Sequence, residues 1–138
     1  MADSLLLDTG ALVSLLDRDQ REHGPCMRFF ESWSGPVLST EAVLTEATHL
    51  RARTRGGRAA CVDFFLAGGA VLVHATPGSL RRARQLIEQY ASLPMDYADA
   101  TLVALAEEAR TDLVFTTNRR DFALYRIGGR GRFHIVPD

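Results

Sequence analysis

Short apolar runs alternate with helical patterns along the whole chain, and this alternation constrains the fold more than any other feature. The apolar runs cover residues 5–7, 37–38, 70–74, 113–116 and 133–136. Strands that alternate with helices predict an α/β fold in which a mainly parallel central sheet carries helices on both faces, in three layers. Such a sheet binds ligands outside the carboxyl ends of its strands. The length of 138 residues is that of one domain, so we expect a single domain over residues 1–138.

The helical patterns are bounded by capping residues, prolines and glycines. Helices are predicted over residues 11–16, 25–33, 58–67, 77–90, 96–110 and 119–126, and a further one from the Ser39-Thr40 cap to the Gly56-Gly57 break. The GGRGR stretch at residues 128–132 predicts a flexible loop.

Composition limits the possible partners. Sixteen basic and seventeen acidic side chains leave a net charge of −1, so any contact with a nucleic acid has to be local. Every basic side chain is an arginine, a residue that suits bidentate phosphate contacts. Cys26 and Cys61 match no zinc or redox spacing, which favours buried thiols in a reducing, cytoplasmic setting. No apolar stretch approaches about 18 residues, so neither secretion nor membrane insertion is expected.

Two acidic side chains lie next to apolar segments, where a carboxylate needs a cation or a hydrogen-bond donor beside it. Asp8 directly follows a fully apolar strand, at the edge where ligands bind; the alternative role is a turn or an N-cap. Glu46 lies close to the apolar stripe of its helix, so it should be partly buried. A carboxylate placed there needs a cation or an ion pair, for example with Arg53.

A second acidic group follows later in the chain. Asp96 and Asp99 share one face at the start of a helix, where a bridging cation or ordinary capping would account for both. Thr116 and Asn118 follow the next strand, and Asp121 comes one helical turn later; Asn118 is also a candidate N-cap. Together these positions collect oxygen ligands at one edge of the sheet. That donor set suits Mg²⁺ or Mn²⁺ better than Zn²⁺.

Four segments give the chain a resemblance to the PIN-domain family, particularly to the VapC-like toxins of bacterial toxin–antitoxin pairs, over essentially its whole length. LLLDTGALVSLLD resembles the first motif with Asp8, and STEAVLTEATHL the second with Glu46. MDYADATLVALAEE resembles the third, with Asp99 as its main acid and Asp96 at a position that is acidic in part of the family. VFTTNRRDF resembles the fourth, but Asn118 stands where an Asp is common. The fourth site residue is therefore either Asn118 or Asp121.

The resemblance implies a metal-dependent endoribonuclease that acts as the toxin of such a pair. Its implied metal ligands are Asp8, Glu46, Asp99 and Asp96, with Mg²⁺ or Mn²⁺ bound, and Thr9 or Thr116 would position the attacking water. Phosphate contacts are expected from two groups of arginines, namely Arg51, Arg53, Arg55 and Arg58, and Arg119 and Arg120. The resemblance further implies RNA as the substrate, a homodimer, and a cognate antitoxin that reaches the acidic groove.

Three other readings remain open at this point. In one of them, the Asp pairs only interact favourably with helix dipoles and have no function. A PIN fold whose Asn118 weakens metal binding would serve as an RNA- or protein-binding module without cleavage. A structure-specific DNA nuclease, or a small phosphatase with clustered Asp residues, would use similar ligands. The phosphatase reading is disfavoured because Asp8-Thr9-Gly10 lacks the second Asp that many aspartyl phosphatases use as an acid.

Overall fold

The strands of the protein are short, and the five strands of the central sheet lie where the apolar runs predict them. The computed structural model describes residues 3–138. Its strands are β1 (Leu5–Leu7), β2 (Val37–Thr40), β3 (Val71–Val73), β4 (Leu113–Phe115), β5 (Arg126–Ile127), β6 (Gly131–Arg132) and β7 (His134–Val136). Five of them form one sheet in the order β3-β2-β1-β4-β7, and every neighbouring pair in it is parallel.

The strand order creates a switch point between β1 and β4. The chain leaves β1 toward β2 and β3 on one side, then returns to add β4 and β7 on the other side. At such a point the connections leave their strands in opposite directions, which opens a crevice at the carboxyl ends of the two strands. Asp8 follows β1 there, and Thr116 follows β4.

Helices cover both faces of the sheet, as predicted. They are α1 (Thr9–Leu16), α2 (His23–Ser32), α3 (Glu41–Leu50), α4 (Gly57–Leu66), α5 (Pro77–Gln89), α6 (Tyr97–Ala109) and α7 (Arg119–Leu124). Side chains of β1 alternate between the two cores: Leu6 packs with residues of α5, α6 and α7, whereas Leu5 and Leu7 pack with residues of α1, α2 and α4. The three-layer α/β prediction is thereby confirmed.

Three local predictions differ from the structure. The helix predicted over residues 119–126 ends at Leu124, and Arg126 begins strand β5. Helix α3 ends at Leu50 rather than near Gly56, because its apolar stripe stops there and the polar RARTR segment continues in turns. The GGRGR stretch forms the turn and second strand of a β5–β6 hairpin instead of a loose loop. Gly128 and Gly129 have positive φ values in this turn, and the Gly128 amide donates to Glu107, which also pairs with Arg82. Within residues 3–138, no helix is both long and apolar enough to cross a membrane.

Candidate active site

Asp8 is buried at the carboxyl end of β1 and does not act as an ordinary cap. It occupies the N-cap position of α1, yet its side chain makes no capping hydrogen bond. Instead the Thr116 hydroxyl donates to Asp8 Oδ2 over 2.6 Å, and the backbone amide of Asn118 donates to that hydroxyl over 2.9 Å. Burial raises the pKa of Asp8 to about 6; the hydrogen bonds from Thr116 and Thr9 oppose this rise.

Asp99 is a second buried carboxylate, in the first turn of α6, and is 7% exposed. Its neighbour Asp96 is the N-cap of this helix, and Asp96 Oδ1 accepts from the Asp99 amide over 2.8 Å. Burial and then the charge of Asp8 raise the pKa of Asp99 to about 7, against a hydrogen bond from Tyr125. The charge of Asp8 opposes ionisation of Asp99, so the two carboxyl groups titrate as a coupled pair. The two carboxylates are therefore close enough to interact.

Glu46 and Asp96 complete the acidic cluster. Glu46 lies half-buried on α3, and Asp96 is exposed. Charges on both raise the pKa of Asp8 and of Asp99. Glu46 takes part in no salt bridge within residues 3–138, so the pairing with an arginine such as Arg53 that would account for it structurally is not found.

The donor set fits a small, hydrated divalent cation. Thr9 Oγ1 is buried beside Asp8 and has no hydrogen-bond partner in the structure. Within residues 3–138, no three His, Cys, Asp or Glu side chains already stand close enough to hold one metal ion. Mg²⁺ commonly binds one or two carboxylates and keeps several waters, which two buried carboxylates and an unpartnered hydroxyl accommodate.

Asn118 and Asp121 are joined by two hydrogen bonds. Asn118 caps α7: its Oδ1 accepts from the Asp121 amide over 3.3 Å, and its Nδ2 donates to Asp121 Oδ2 over 3.0 Å. The charge of Asp121 raises the pKa of Tyr125, which places this carboxylate near the phenol. The N-cap role predicted for Asn118 is present, and the Asp121 carboxylate is engaged with Asn118.

The arginines predicted to contact phosphate differ in their solvent exposure. Arg51 is only 7% exposed, and its Nε and Nη1 atoms have no hydrogen-bond partner. It directly follows the last residue of α3 and is buried, so its prediction as a phosphate contact does not fit the structure. Arg53 and Arg55 are exposed and, with Arg58, line a hollow at the α3–α4 turn. Because α3 is about 15 Å long, this turn is well separated from the carboxyl edge where α3 begins.

Arg119 and Arg120 are exposed at the start of α7, next to the carboxyl end of β4. Arg119 shares a hollow with Thr116 and Thr117, although its Nη1 also donates to the Pro137 carbonyl. A second, open groove runs between α3 and the start of α6. It is lined by Glu46, His49, Asp96 and Tyr97 together with their neighbours. Both features adjoin the acidic cluster.

Tyr125 is a site residue that sequence reasoning missed. Its hydroxyl donates to Asp99 Oδ2 over 2.7 Å, and its side chain is fully buried. The only local sequence signal is the aromatic spacing of Phe122 and Tyr125, which indicates a core position and nothing about chemistry.

Comparisons with known proteins show which sequences and folds the chain resembles. The sequence profile described as PIN domain matches residues 5–129. A curated relative, Ribonuclease VapC26 of Mycobacterium tuberculosis, is 30% identical over 136 residues, covering 96% of this chain and 100% of the relative.

Solved structures share the fold at lower identity. Mycobacterium tuberculosis VapC20, described as a sarcin-ricin loop cleaving toxin, has a TM-score of 0.77 at 20% identity, covering 84% of this chain and 91% of that one. A toxin–antitoxin complex from Klebsiella pneumoniae gives 0.65 at 20% identity, with 86% and 90% covered. VapBC2 from Rickettsia felis, bound to a promoter DNA fragment, gives 0.67 at 12% identity, with 97% and 99% covered.

Proposed function

The chain belongs to the PIN domain family, and on that premise we propose that it is an endoribonuclease and the toxin of a toxin–antitoxin pair. The observation that carries the proposal is the pair of buried carboxylates, Asp8 and Asp99, at the switch point between β1 and β4. Neither has a cationic side chain bonded to it in the described chain. Keeping two such groups close and buried is costly without a cation.

The proposed metal ligands are Asp8 and Asp99, with Glu46 and Asp96 as further acidic contacts. Thr116 orients Asp8 through its hydroxyl, and Tyr125 orients Asp99. Thr9, whose buried hydroxyl has no hydrogen-bond partner, is proposed to position the attacking water. A bound Mg²⁺ or Mn²⁺ would supply a more acidic water and would neutralise charge on a phosphate. Asn118 and Asp121, at the start of α7, are proposed to hold Thr116 in place beside Asp8.

RNA is proposed to enter along the α3–α6 groove. Tyr97 lines this groove and is 44% exposed, so its ring is available for a base to stack on. Arg119 and Arg120 adjoin the acidic cluster and offset its repulsion of the RNA backbone. Arg53 and Arg55 are proposed to contact more distant phosphates.

A cognate antitoxin and a second copy of the chain are the proposed protein partners, in the cytoplasm. Exposed apolar side chains on α3, α4 and β3 support a protein contact there. They are Leu50, Val62, Leu66 and Val71. Light scattering on the purified protein measures its oligomeric state, and co-expression with the product of an adjacent reading frame tests the antitoxin.

The first experiment is cleavage of labelled total RNA by purified, antitoxin-free protein with Mg²⁺ or Mn²⁺, beside EDTA and Asp99→Asn. Discrete cuts that disappear in both controls are the expected result. The matched control is Asp112→Asn, an exposed Asp at the opposite end of β4, which should cut normally. Folded, metal-loaded protein that cuts no RNA would overturn the proposal.

A further inference from the structure

The Tyr125 ring is held rigidly at the end of α7. It is fully buried and packs edge-on against two aromatic rings, Tyr90 and Phe122, each with a centroid distance of 5.2 Å. The hydroxyl of Tyr90 is engaged elsewhere, since it accepts from the Arg126 amide over 2.8 Å. The hydroxyl of Tyr125 is aimed at Asp99 Oδ2 at 2.7 Å. Packing therefore fixes where this donor points.

The Tyr125 hydroxyl is the donor in this hydrogen bond, and Asp99 Oδ2 is the acceptor. Burial and the adjacent Asp99 raise the pKa of the Tyr125 hydroxyl above its usual range. The other oxygen, Oδ1, takes no hydrogen bond from any side chain within residues 3–138.

Asp8 shows a similar arrangement. There the Thr116 hydroxyl donates to Oδ2, so one oxygen of Asp8 is also held by a protein hydroxyl. Each buried carboxylate thus has one oxygen engaged before any cation arrives. Ca²⁺ takes six to eight oxygen ligands, commonly including bidentate carboxylates, whereas Mg²⁺ takes six in a near-octahedral shell rich in water.

We propose that Tyr125 is a positioning residue that restricts Asp99 to a single free oxygen and thereby makes the site prefer Mg²⁺ over Ca²⁺. The inference rests on the proposed metal-binding role of Asp99 in the nuclease. It assigns cation selectivity to a residue that touches the carboxylate and not the ion. Outer-shell partners of this kind strongly affect metal affinity.

The test is calorimetric titration of the full chain with MgCl₂ and, separately, CaCl₂, for the wild type and Tyr125→Phe. Phe keeps the ring and removes only the donor. We expect Mg²⁺ affinity to fall by about tenfold while Ca²⁺ affinity stays level or rises. The matched control is Tyr90→Phe, which removes a hydroxyl from the same aromatic cluster without touching Asp99 and should leave the Mg²⁺/Ca²⁺ ratio unchanged.

Equal losses for the two ions, or no change in either, would overturn the inference, as would a wild type that binds neither. Proton NMR of the wild type gives a second readout that needs no variant. The buried Tyr125 hydroxyl proton should remain slowly exchanging after Mg²⁺ is added, and its loss would count against positioning. Because both readouts are binding measurements, a protein that shows the selectivity but cuts no RNA would refute the proposed nuclease while leaving the inference standing.

Discussion

Thr116 donates its hydroxyl proton to Asp8 Oδ2 over 2.6 Å, although 108 positions separate the two residues along the chain. The pair joins the ends of β1 and β4 across the switch point. The same hydroxyl accepts a hydrogen bond from the backbone amide of Asn118, so it also positions the turn into α7. Substitutions at Thr116 therefore test the candidate site and the fold together.

Thr116→Val removes this hydroxyl at nearly constant volume. We expect the free energy of unfolding to drop by about 1 to 3 kcal/mol, because a buried carboxylate oxygen loses its donor. RNA cleavage should fall by about tenfold because Asp8 is no longer oriented. Urea denaturation and cleavage assays measure the two effects. Thr116→Ser keeps the donor and should behave nearly as the wild type; a Val variant with unchanged cleavage contradicts the role given to Thr116.

The pH dependence of stability without metal reports on Asp99. Its folded-state pKa of about 7 lies above the unfolded value near 4, so the folded form holds an extra proton between these limits. This contribution is fully present below about pH 4 and is lost as the pH rises to about 7. In EDTA, Asp99→Asn should match the wild type near pH 4 and be more stable at pH 7.5. A stability difference that stays constant across this range would show that Asp99 titrates normally.

Asn118→Asp introduces a carboxylate at the fourth motif, where the family resemblance leads us to expect an Asp. Its carboxylate would face Asp121 at the distance now spanned by a 3.0 Å hydrogen bond, so like charges meet. We expect metal-free stability to fall by about 1 kcal/mol and Mn²⁺ affinity to rise several-fold. Thermal unfolding with and without Mn²⁺ measures both. An unchanged Mn²⁺ affinity would mean that position 118 serves only as the cap of α7.

The arginines should separate into structural and RNA-binding groups. Arg51→Met should leave RNA affinity unchanged and keep stability within about 1 kcal/mol of the wild type or above it, because a buried, poorly bonded charge is removed. Replacing both Arg119 and Arg120 with Ala should weaken RNA binding and lower its salt dependence by about one unit of slope per lost phosphate contact. Fluorescence anisotropy at several salt concentrations measures this. Weaker RNA binding by Arg51→Met would reverse the assignment.

Tyr97 tests the proposed RNA path. Tyr97→Ala should weaken binding of a short single-stranded RNA by roughly tenfold, whereas Tyr97→Phe keeps the stacking surface and should bind normally. The same anisotropy assay applies, with catalysis blocked by Asp99→Asn. Equal weakening in the Ala and Phe variants would point to the hydroxyl instead of the ring.

Strand ends could be predicted from sequence, and side-chain partners could not. Asp8 and Thr116 each follow a short apolar run, and a parallel sheet brings such ends to one edge, so their neighbourhood follows from pattern and topology. The bond between Tyr125 and Asp99 depends on how α7 packs against α6, and no periodicity encodes that contact. Tyr125 therefore looked like an ordinary core residue.

The burial of Arg51 could not be predicted from the sequence either. Arg51 belongs to a run of alternating arginines that resembles a solvated surface, but α3 ends just before it and turns its side chain inward. The Gly128–Gly129 turn was similar: glycine-rich composition predicts freedom, whereas the bond to Glu107 orders it. In both places a tertiary contact overrides the local pattern.

The separation of Asp8 from Thr116 along the chain also bears on when the site is made. A ribosome releases β1 early, but β4 and the Tyr125 ring emerge only after most of the domain has been synthesised. Until then neither Asp8 nor Asp99 has its hydroxyl partner, and the sheet lacks the strand that closes the switch point. The proposed site is therefore incomplete in a nascent chain until β4 and Tyr125 have been released.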